Sequence, residues 1–480
     1  MSALQPDSVE DQITDPASQM LAVFDRQQQA VASDRIPPAG VRRERLDRLE
    51  MALNLWSDRI RLAVSEDFGY RIAEETDLSE IVVTLRGLRH ARKALRRWMR
   101  PKRRKLPLAV QPASARVERV PLGVVGIIAP WNYPVQLALV PLIDAIAAGN
   151  RVMLKPSELT PLTALTLKQM LAEAFAEDEV AVITGEAEIG AAFSALPFDH
   201  LLFTGSTAVG RKVAAAAAKN LTPVTLELGG KSPVLVEPGY PVDDLAAHLG
   251  WGKGFNGGQT CIAPDYVLAP TDLQAPLADA LLHRWAQMFG DDGTGMTRII
   301  SSGHFDRLTG LVEQAEAKGA TIRRLAEPDP EQRLFPPTII LDATPDMAIM
   351  QEEIFGPVLP ILPAETAEEA ISFIETHAPT PLTLYAFSKS KHWVERIRHR
   401  IAAGSISING TLLHFGCENL PIGGVGASGM GEYHGEEGFV RLTRPQPVFR
   451  LGRPHALTLL GPPYGKLAGL LKLLLGGGGK

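Results

Sequence analysis

The chain has 480 residues, 45% hydrophobic and 21% charged, with a formal net charge of -5 and two cysteines. That length exceeds what one hydrophobic core usually organises, so two or more domains are expected. A mildly acidic balance gives no overall reason for a nucleic-acid partner. Two cysteines cannot build a disulfide framework and no signal peptide opens the chain, so a reducing, cytoplasmic setting is expected.

Residues 1–19 are polar, carry two prolines and show no period, which reads as a mobile extension. From Val41 onward, Val41, Leu46, Leu49, Leu53, Trp56 and Ile60 recur at helical spacing, and helix continues through Leu95. The run RHARKALRRWMRPKRRK, Arg89 to Lys105, holds ten basic residues and no acid. A solvated helix face leading into a linker explains it as well as a polyanion or membrane patch does.

Between Val120 and Leu228 the pattern changes. Val124–Ala129, Arg151–Leu154, Val180–Ile183, His200–Phe203 and Val224–Leu228 read as buried strands, and Val135–Ala148, Pro161–Phe175, Ile189–Leu196 and Val209–Lys219 as the helices between them. Such alternation predicts an α/β fold with a doubly wound parallel sheet, whose ligands sit at the carboxyl ends of the strands. The loops at those ends are PWNYP (Pro130–Pro134), KPSELTP (Lys155–Pro161) and FTGSTAVG (Phe203–Gly210). Gly205 and Gly210 would let backbone N–H groups approach a phosphate at a helix start. Lys155 could reach ribose or phosphate oxygens and Glu158 two ribose hydroxyls. A 2′-phosphate would meet Glu158 as a like charge, which favours NAD over NADP.

PWN, KPSE, GSTAVG, LELGGK (Leu226–Lys231), GGQTC (Gly257–Cys261) and EEIFGPV (Glu352–Val358) stand in the order and approximate spacing of the aldehyde dehydrogenase superfamily, from Val41 to Arg450. GGQTCIAPDY and LPIGGVGASGMGEYHGEEGF resemble its class 3 branch. The basic run and ALPFDHLLFTGSTAVG are most similar to bacterial coniferyl aldehyde dehydrogenases. The resemblance implies a Rossmann-type cofactor domain (20–100 and 119–226), an α/β catalytic domain (227–420), an extended oligomerisation arm (101–118 and 430–450) and a tail (451–480). It also implies a homodimer and NAD(P)-dependent oxidation of an apolar aldehyde to its acid. The aldehyde would be a phenylpropenal such as coniferaldehyde, or a medium or long aliphatic one.

The chemistry agrees with that resemblance. A free aldehyde has no attached nucleophile to make its C–H bond hydridic, and a thiolate supplies one, giving a thiohemiacetal and then a thioester. Cys261 matches the family nucleophile, with Gly257 and Gly258 expected to keep its loop open. Glu227 matches the base that activates water against the thioester, and a carboxylate ending an apolar strand is expected to have a raised pKa. Asn132 matches the oxyanion donor. The resemblance places Trp131, Lys155, Pro156, Ser157, Glu158, Gly205, Ser206, Gly210, Leu228, Gly229, Glu353 and Phe355 around the cofactor. Tyr133, Ile262, His414, Phe415 and Ile422, where relatives commonly have Phe, would form the substrate funnel. No metal is expected, and Cys417 reads as packing. Two alternatives are a CoA-acylating dehydrogenase, against which Glu227 counts, and a scaffold that retains the fold. In the tail, Leu467, Leu470, Leu471, Leu474 and Leu475 share a helical face too short to span a bilayer. Docking on the protein itself or a partner subunit is expected there, with peripheral membrane contact the second reading.

Overall fold

Continuous apolar runs mark strands covered on both faces, and between Val120 and Leu228 they form the expected parallel sheet. The computed structural model describes residues 16–107, 110–453 and 469. Its strands here are Val124–Ile128, Arg151–Lys155, Val180–Val182, His200–Thr204 and Val224–Glu227, alternating with helices Gln136–Ala148, Pro161–Ala174, Ala187–Ser194 and Thr207–Ala218. Val124–Ile128 lies centrally, pairing in parallel with Arg151–Lys155 on one side and His200–Thr204 on the other. The winding therefore reverses beside that strand. The loops after Ile128, Lys155, Thr204 and Glu227 share one edge, where such sheets hold ligands. Helix Gln136–Ala148 is buried along its whole length, because helices Ala39–Phe68, Val82–Trp98 and Gly435–Arg441 cover the side that the sheet does not.

After Glu227 the chain crosses through Leu228–Ser232 into a second sheet of seven strands. In spatial order these are Thr321–Arg324, Thr338–Leu341, Val358–Pro363, Tyr266–Ala269, Pro233–Val236, Thr383–Phe387 and Ser405–Ile408. All but the first pair in parallel. A third sheet stands apart from both cores. Ala113–Pro121 lies between Lys102–Arg104 and Thr443–Leu451, pairing with the latter from Pro121↔Thr443 to Ala113↔Leu451. Pro445 and Pro447 sit on its outer strand, where a missing N–H is tolerated.

Two expectations need correcting. Helix Pro16–Ser33 begins inside the stretch read as a mobile extension, because Met20, Val23 and Phe24 are buried apolar anchors; Phe24 meets Phe198 edge-on at 5.3 Å between ring centroids. Residues 430–442, assigned to the arm, belong instead with the first sheet. Gly429–Met430 pairs antiparallel with Glu227 and Leu226, and Phe439 and Leu442 are fully buried in the surrounding core. The returning arm strand starts at Thr443. Among the described residues no helix is long and apolar enough to cross a membrane. The leucine-rich face read in the tail lies outside the described residues.

Candidate active site

The crossing between the two sheets borders a cleft of about 670 Å³ lined by Trp131, Asn132, Glu227, Cys261, Glu353 and Phe355, with further residues from both sides. Five motifs far apart in sequence converge there, each from the carboxyl end of a strand or a turn that enters one.

Asn256, Gly257 and Gly258 take φ values of 53°, 58° and 70°, a left-handed turn that delivers Cys261. Both glycines are buried. A Cβ on Gly258 would stand 2.4 Å from the Gly356 carbonyl oxygen, and one on Gly257 2.9 Å from that of Thr297. The expectation that these glycines keep the loop open is therefore corrected: they let it press against the EEIFGPV segment. Cys261 is partly exposed, with its own N–H and that of Ile262 turned toward the sulfur. Burial, then the Glu353 and Glu227 carboxyls, push its thiol up to about 12.

Glu227, the last residue of its strand, is buried, and its Oε1 has no hydrogen-bond partner. Burial, reinforced by Glu432, pushes it well above the usual carboxylate range against a smaller pull from Arg441. That is the expected environment for a base near neutrality. Asn132 is buried too, its Nδ2 donating to the Gln259 carbonyl at 3.2 Å, while Asn256 donates to the Asn132 carbonyl at 3.0 Å. These bonds tie the PWN loop to the nucleophile turn. From below, Glu80 accepts the N–H groups of Val135 and Gln136 at 2.9 and 2.8 Å and pairs with fully buried Arg71 at 3.0 Å.

The residues fit a dinucleotide. Thr204 Oγ1 and Glu353 Oε1 are buried donor or acceptor atoms without partners, and both residues border the cleft. A Cβ on Gly229 would lie 2.2 Å from Glu353 Oε2, so glycine is needed for the carboxylate to reach across. Burial pushes Glu353 up to about 8. Phe355, at a left-handed φ of 52°, meets Trp131 edge-on at 5.3 Å. Such strain in a non-glycine residue is characteristic of functional positions. Gly205, Ser206 and Leu228 also line the cleft. Lys155, Pro156, Ser157 and Glu158 do not; Lys155 ends the adjacent strand and the others follow it, with Lys155 Nζ donating to the Pro156 carbonyl at 2.9 Å and lying 3.4 Å from Glu158. Gly210 needs correcting. Its N–H donates to the Ser206 carbonyl within the helix, and its missing side chain accommodates Leu228, 2.4 Å from a Cβ placed there.

Of the funnel residues, Phe415 and Ile422 reach the cleft. The other three do not line it. Tyr133 is buried behind the nucleophile turn, hydrogen-bonded to Thr260 at 2.6 Å. Ile262 packs with Leu382 and Leu412, and its carbonyl accepts from Tyr385. His414 bonds Ser405 at 3.1 Å, and burial pushes it down to about 4. Exposed Cys417 donates to the Leu413 carbonyl at 3.6 Å. Sequence reasoning missed Tyr433, Leu137, Leu382 and His304 in the wall, and Lys231, whose Nζ binds Asp265 and the Ile349 and Glu352 carbonyls. It also missed Lys253, fully buried and without a hydrogen-bond partner, which burial pushes down to about 8. A tyrosine inside a glycine-rich run and a lysine at helical spacing from small residues are the signals that were available.

The sequence model described as the aldehyde dehydrogenase family matches residues 15–448. The probable coniferyl aldehyde dehydrogenase of Pseudomonas aeruginosa is 46% identical over 451 residues, covering 94% of each chain. The coniferyl aldehyde dehydrogenase of Pseudomonas sp. strain HR199 is 40% identical, covering 96% of this chain and 97% of its own. Among solved structures, Staphylococcus aureus AldH in a substrate-bound state is similar with a TM-score of 0.90 at 37% identity, covering 95% of this chain and 99% of that one.

Proposed function

Because the chain belongs to the aldehyde dehydrogenase family, and so performs NAD(P)-dependent oxidation of an aldehyde, we infer that Cys261, Glu227 and Asn132 carry the reaction and that NAD is the preferred cofactor. The observation that supports this reading is the meeting of a thiol, an orphaned buried carboxyl and a side-chain amide at one cleft between the sheets. The Cys261 sulfur adds to the carbonyl carbon while the thiol proton leaves toward a base. Asn132 Nδ2 and the Cys261 N–H donate to the developing oxyanion. Trp131, Lys155, Pro156, Ser157, Glu158, Gly205, Ser206, Leu228, Gly229, Glu353 and Phe355 would hold the dinucleotide. When bound, it supplies the acceptor for the hydride that leaves the tetrahedral carbon. Glu227 then removes a proton from water, the hydroxyl adds to the thioester carbon, and the C–S bond breaks to return the thiolate and release the acid.

The apolar wall of Leu137, Leu382, Phe415 and Ile422 supports an apolar substrate, and the two Pseudomonas relatives favour a phenylpropenal over an aliphatic aldehyde. We read the arm as the contact surface of a homodimer and the cytoplasm as the compartment. The domain assignment becomes a cofactor unit of 16–100, 122–227 and 428–442, a catalytic unit of 228–427, and an arm of 101–121 and 443–451. NADH and NADPH formation is to be followed with coniferaldehyde, cinnamaldehyde, benzaldehyde and aliphatic aldehydes of increasing length, with and without CoA. Cinnamyl-type aldehydes should give the highest kcat/KM with NAD alone. A long aliphatic aldehyde in first place would overturn the substrate reading, and a CoA requirement would overturn hydrolysis. Cys261→Ala should bind NAD yet form no NADH; turnover in that variant would remove the thiol from the mechanism.

A further inference from the structure

Aldehyde oxidation makes no use of the basic run that starts at Arg89, and its first half folds into a cleft of its own. On helix Val82–Trp98, Arg89, Arg92, Lys93 and Arg96 recur at three- and four-residue spacing and so share one face. With Gly40 and Arg43 from the first turn and a half of helix Ala39–Phe68, they line a cleft of about 520 Å³. Glu50 accepts from Arg89 and from Arg92 at 2.7 Å each, and Asp47 from Arg92 at 3.0 Å, which holds two guanidinium groups in place. No carboxylate lies within ion-pairing distance of Arg43, Lys93 or Arg96 among the described residues. Three neighbouring cations without a counter-charge repel one another, and an anion between them relieves that repulsion. The helix start adds to the field: no side chain caps it, no acid stands in its first turn, and a Cβ on Gly40 would meet nothing within 4 Å.

This cleft is separate from the one at Cys261. Arg42, beside Arg43, donates to the carbonyls of Ala147 and Ala148 at 3.1 and 2.6 Å. Those carbonyls end the helix that began just after Asn132, so the basic cleft stands at the edge of the sheet opposite the catalytic loops.

We propose that this cleft is a binding site for a phosphate-bearing anion. Two held guanidinium forks, three unpaired cations and an uncapped helix start match a multiply charged tetrahedral group better than a single carboxylate. Two sources carry that chemistry, a soluble phosphorylated molecule and an anionic phospholipid headgroup. The test is titration of the full-length protein with pyrophosphate, by calorimetry at constant ionic strength with saturating NAD present. Alongside it run the Arg43→Gln/Lys93→Gln/Arg96→Gln variant and Gly40→Glu, which places an acid where the helix start favours one. Saturable binding is expected in the wild type, weakening as salt rises and falling at least about tenfold in both variants while kcat and the KM for NAD stay unchanged. No saturable binding in the wild type, or equal affinity in the variants, would overturn the proposal. Co-sedimentation with phosphatidylglycerol against phosphatidylcholine vesicles separates the sources. Capture by the first alone, lost in the variants, assigns the headgroup; pyrophosphate binding without capture assigns the soluble anion.

Discussion

Glu227 ends an apolar strand with one carboxyl oxygen unpartnered and its acidity strongly weakened by burial. A carboxyl in that state can take a proton from water only if the site allows it to ionise, which confines its work to the moment when the thioester is in place. Glu227→Gln keeps the shape and removes the base. Steady-state kcat should fall about 10²–10⁴-fold, while a single rapid burst of NADH, equal to the number of Cys261 thiols, survives as the thioester accumulates. An unchanged steady state would place the base elsewhere. Asn132→Ala acts earlier: it should lower kcat about 10²–10³-fold without weakening NAD binding, and a loss confined to KM would deny it the oxyanion role. Cys261 itself, though partly exposed, is biased toward the neutral thiol by its desolvated setting and by the Glu353 and Glu227 carboxyls. Its alkylation by iodoacetamide, followed by peptide mass to separate it from exposed Cys417, should be slow at neutral pH and rise about tenfold per pH unit, without levelling off before about pH 12. A rapid reaction at neutral pH would contradict the raised pKa.

Between the residue and the fold, the PWN loop rests on a buried pair, whose Arg71 guanidinium lies 5.2 Å from the centre of the Tyr133 ring. Arg71 and Glu80 are both fully buried, and Glu80 also accepts the first N–H groups at the start of helix Gln136–Ala148. Glu80→Ala would leave a guanidinium without a counter-charge and the helix start without acceptors. The loss should be about 3–5 kcal/mol, read as a large fall in Tm with a lowered kcat; a variant as stable as the wild type would show the pair to be dispensable. Gly310→Ala is the contrasting change. It lies inside helix Ser302–Ala317 with nothing within 4 Å of a Cβ, so Tm should rise by the equivalent of about 0.5–1 kcal/mol. The elements themselves were legible because strands covered on both faces write continuous apolar runs; the five parallel strands of the first sheet fall within two residues of their sequence bounds, while its sixth, Gly429–Met430, was not foreseen. Side-chain direction in the loops was not legible. Tyr133, Ile262 and His414 stand beside the right motifs but outside the cleft wall, engaged instead by Thr260, Leu382 and Ser405. Gly210 was misread for a related reason: a glycine in a helix records what packs on it, here Leu228 from the next strand end, and sequence does not show that contact.

At the scale of the whole molecule, folding holds a set of buried acids toward their neutral form. Asp144, fully buried, accepts the His434 N–H at 3.1 Å, and burial pushes it well above the usual range. Glu227 behaves likewise, and Glu353 is pushed up to about 8 from a reference near 4.5. For Glu227 the raised pKa was expected from its place at the end of an apolar strand; for Asp144 and Glu353 it was not legible, because the segments that bury them lie far off in sequence. The sign of the consequence follows from linkage. Between the unfolded and folded values the native chain holds protons that the unfolded chain releases, so the stability these groups contribute is fully present below about pH 4.5. For Glu353 it is lost progressively as pH rises through about 8. Glu353→Gln cannot titrate. Its Tm curve should therefore decline less than the wild type's between pH 5 and 8, the two converging toward pH 4.5, with a difference at pH 8 on the order of a few kcal/mol. Circular dichroism melts of both proteins across that range supply the difference curve, in which every group common to the two cancels. Parallel curves would mean that Glu353 ionises in the folded protein as it does in the unfolded chain, and that a cation, with buried Lys253 the nearest unpartnered one in sequence to the nucleophile, already neutralises it.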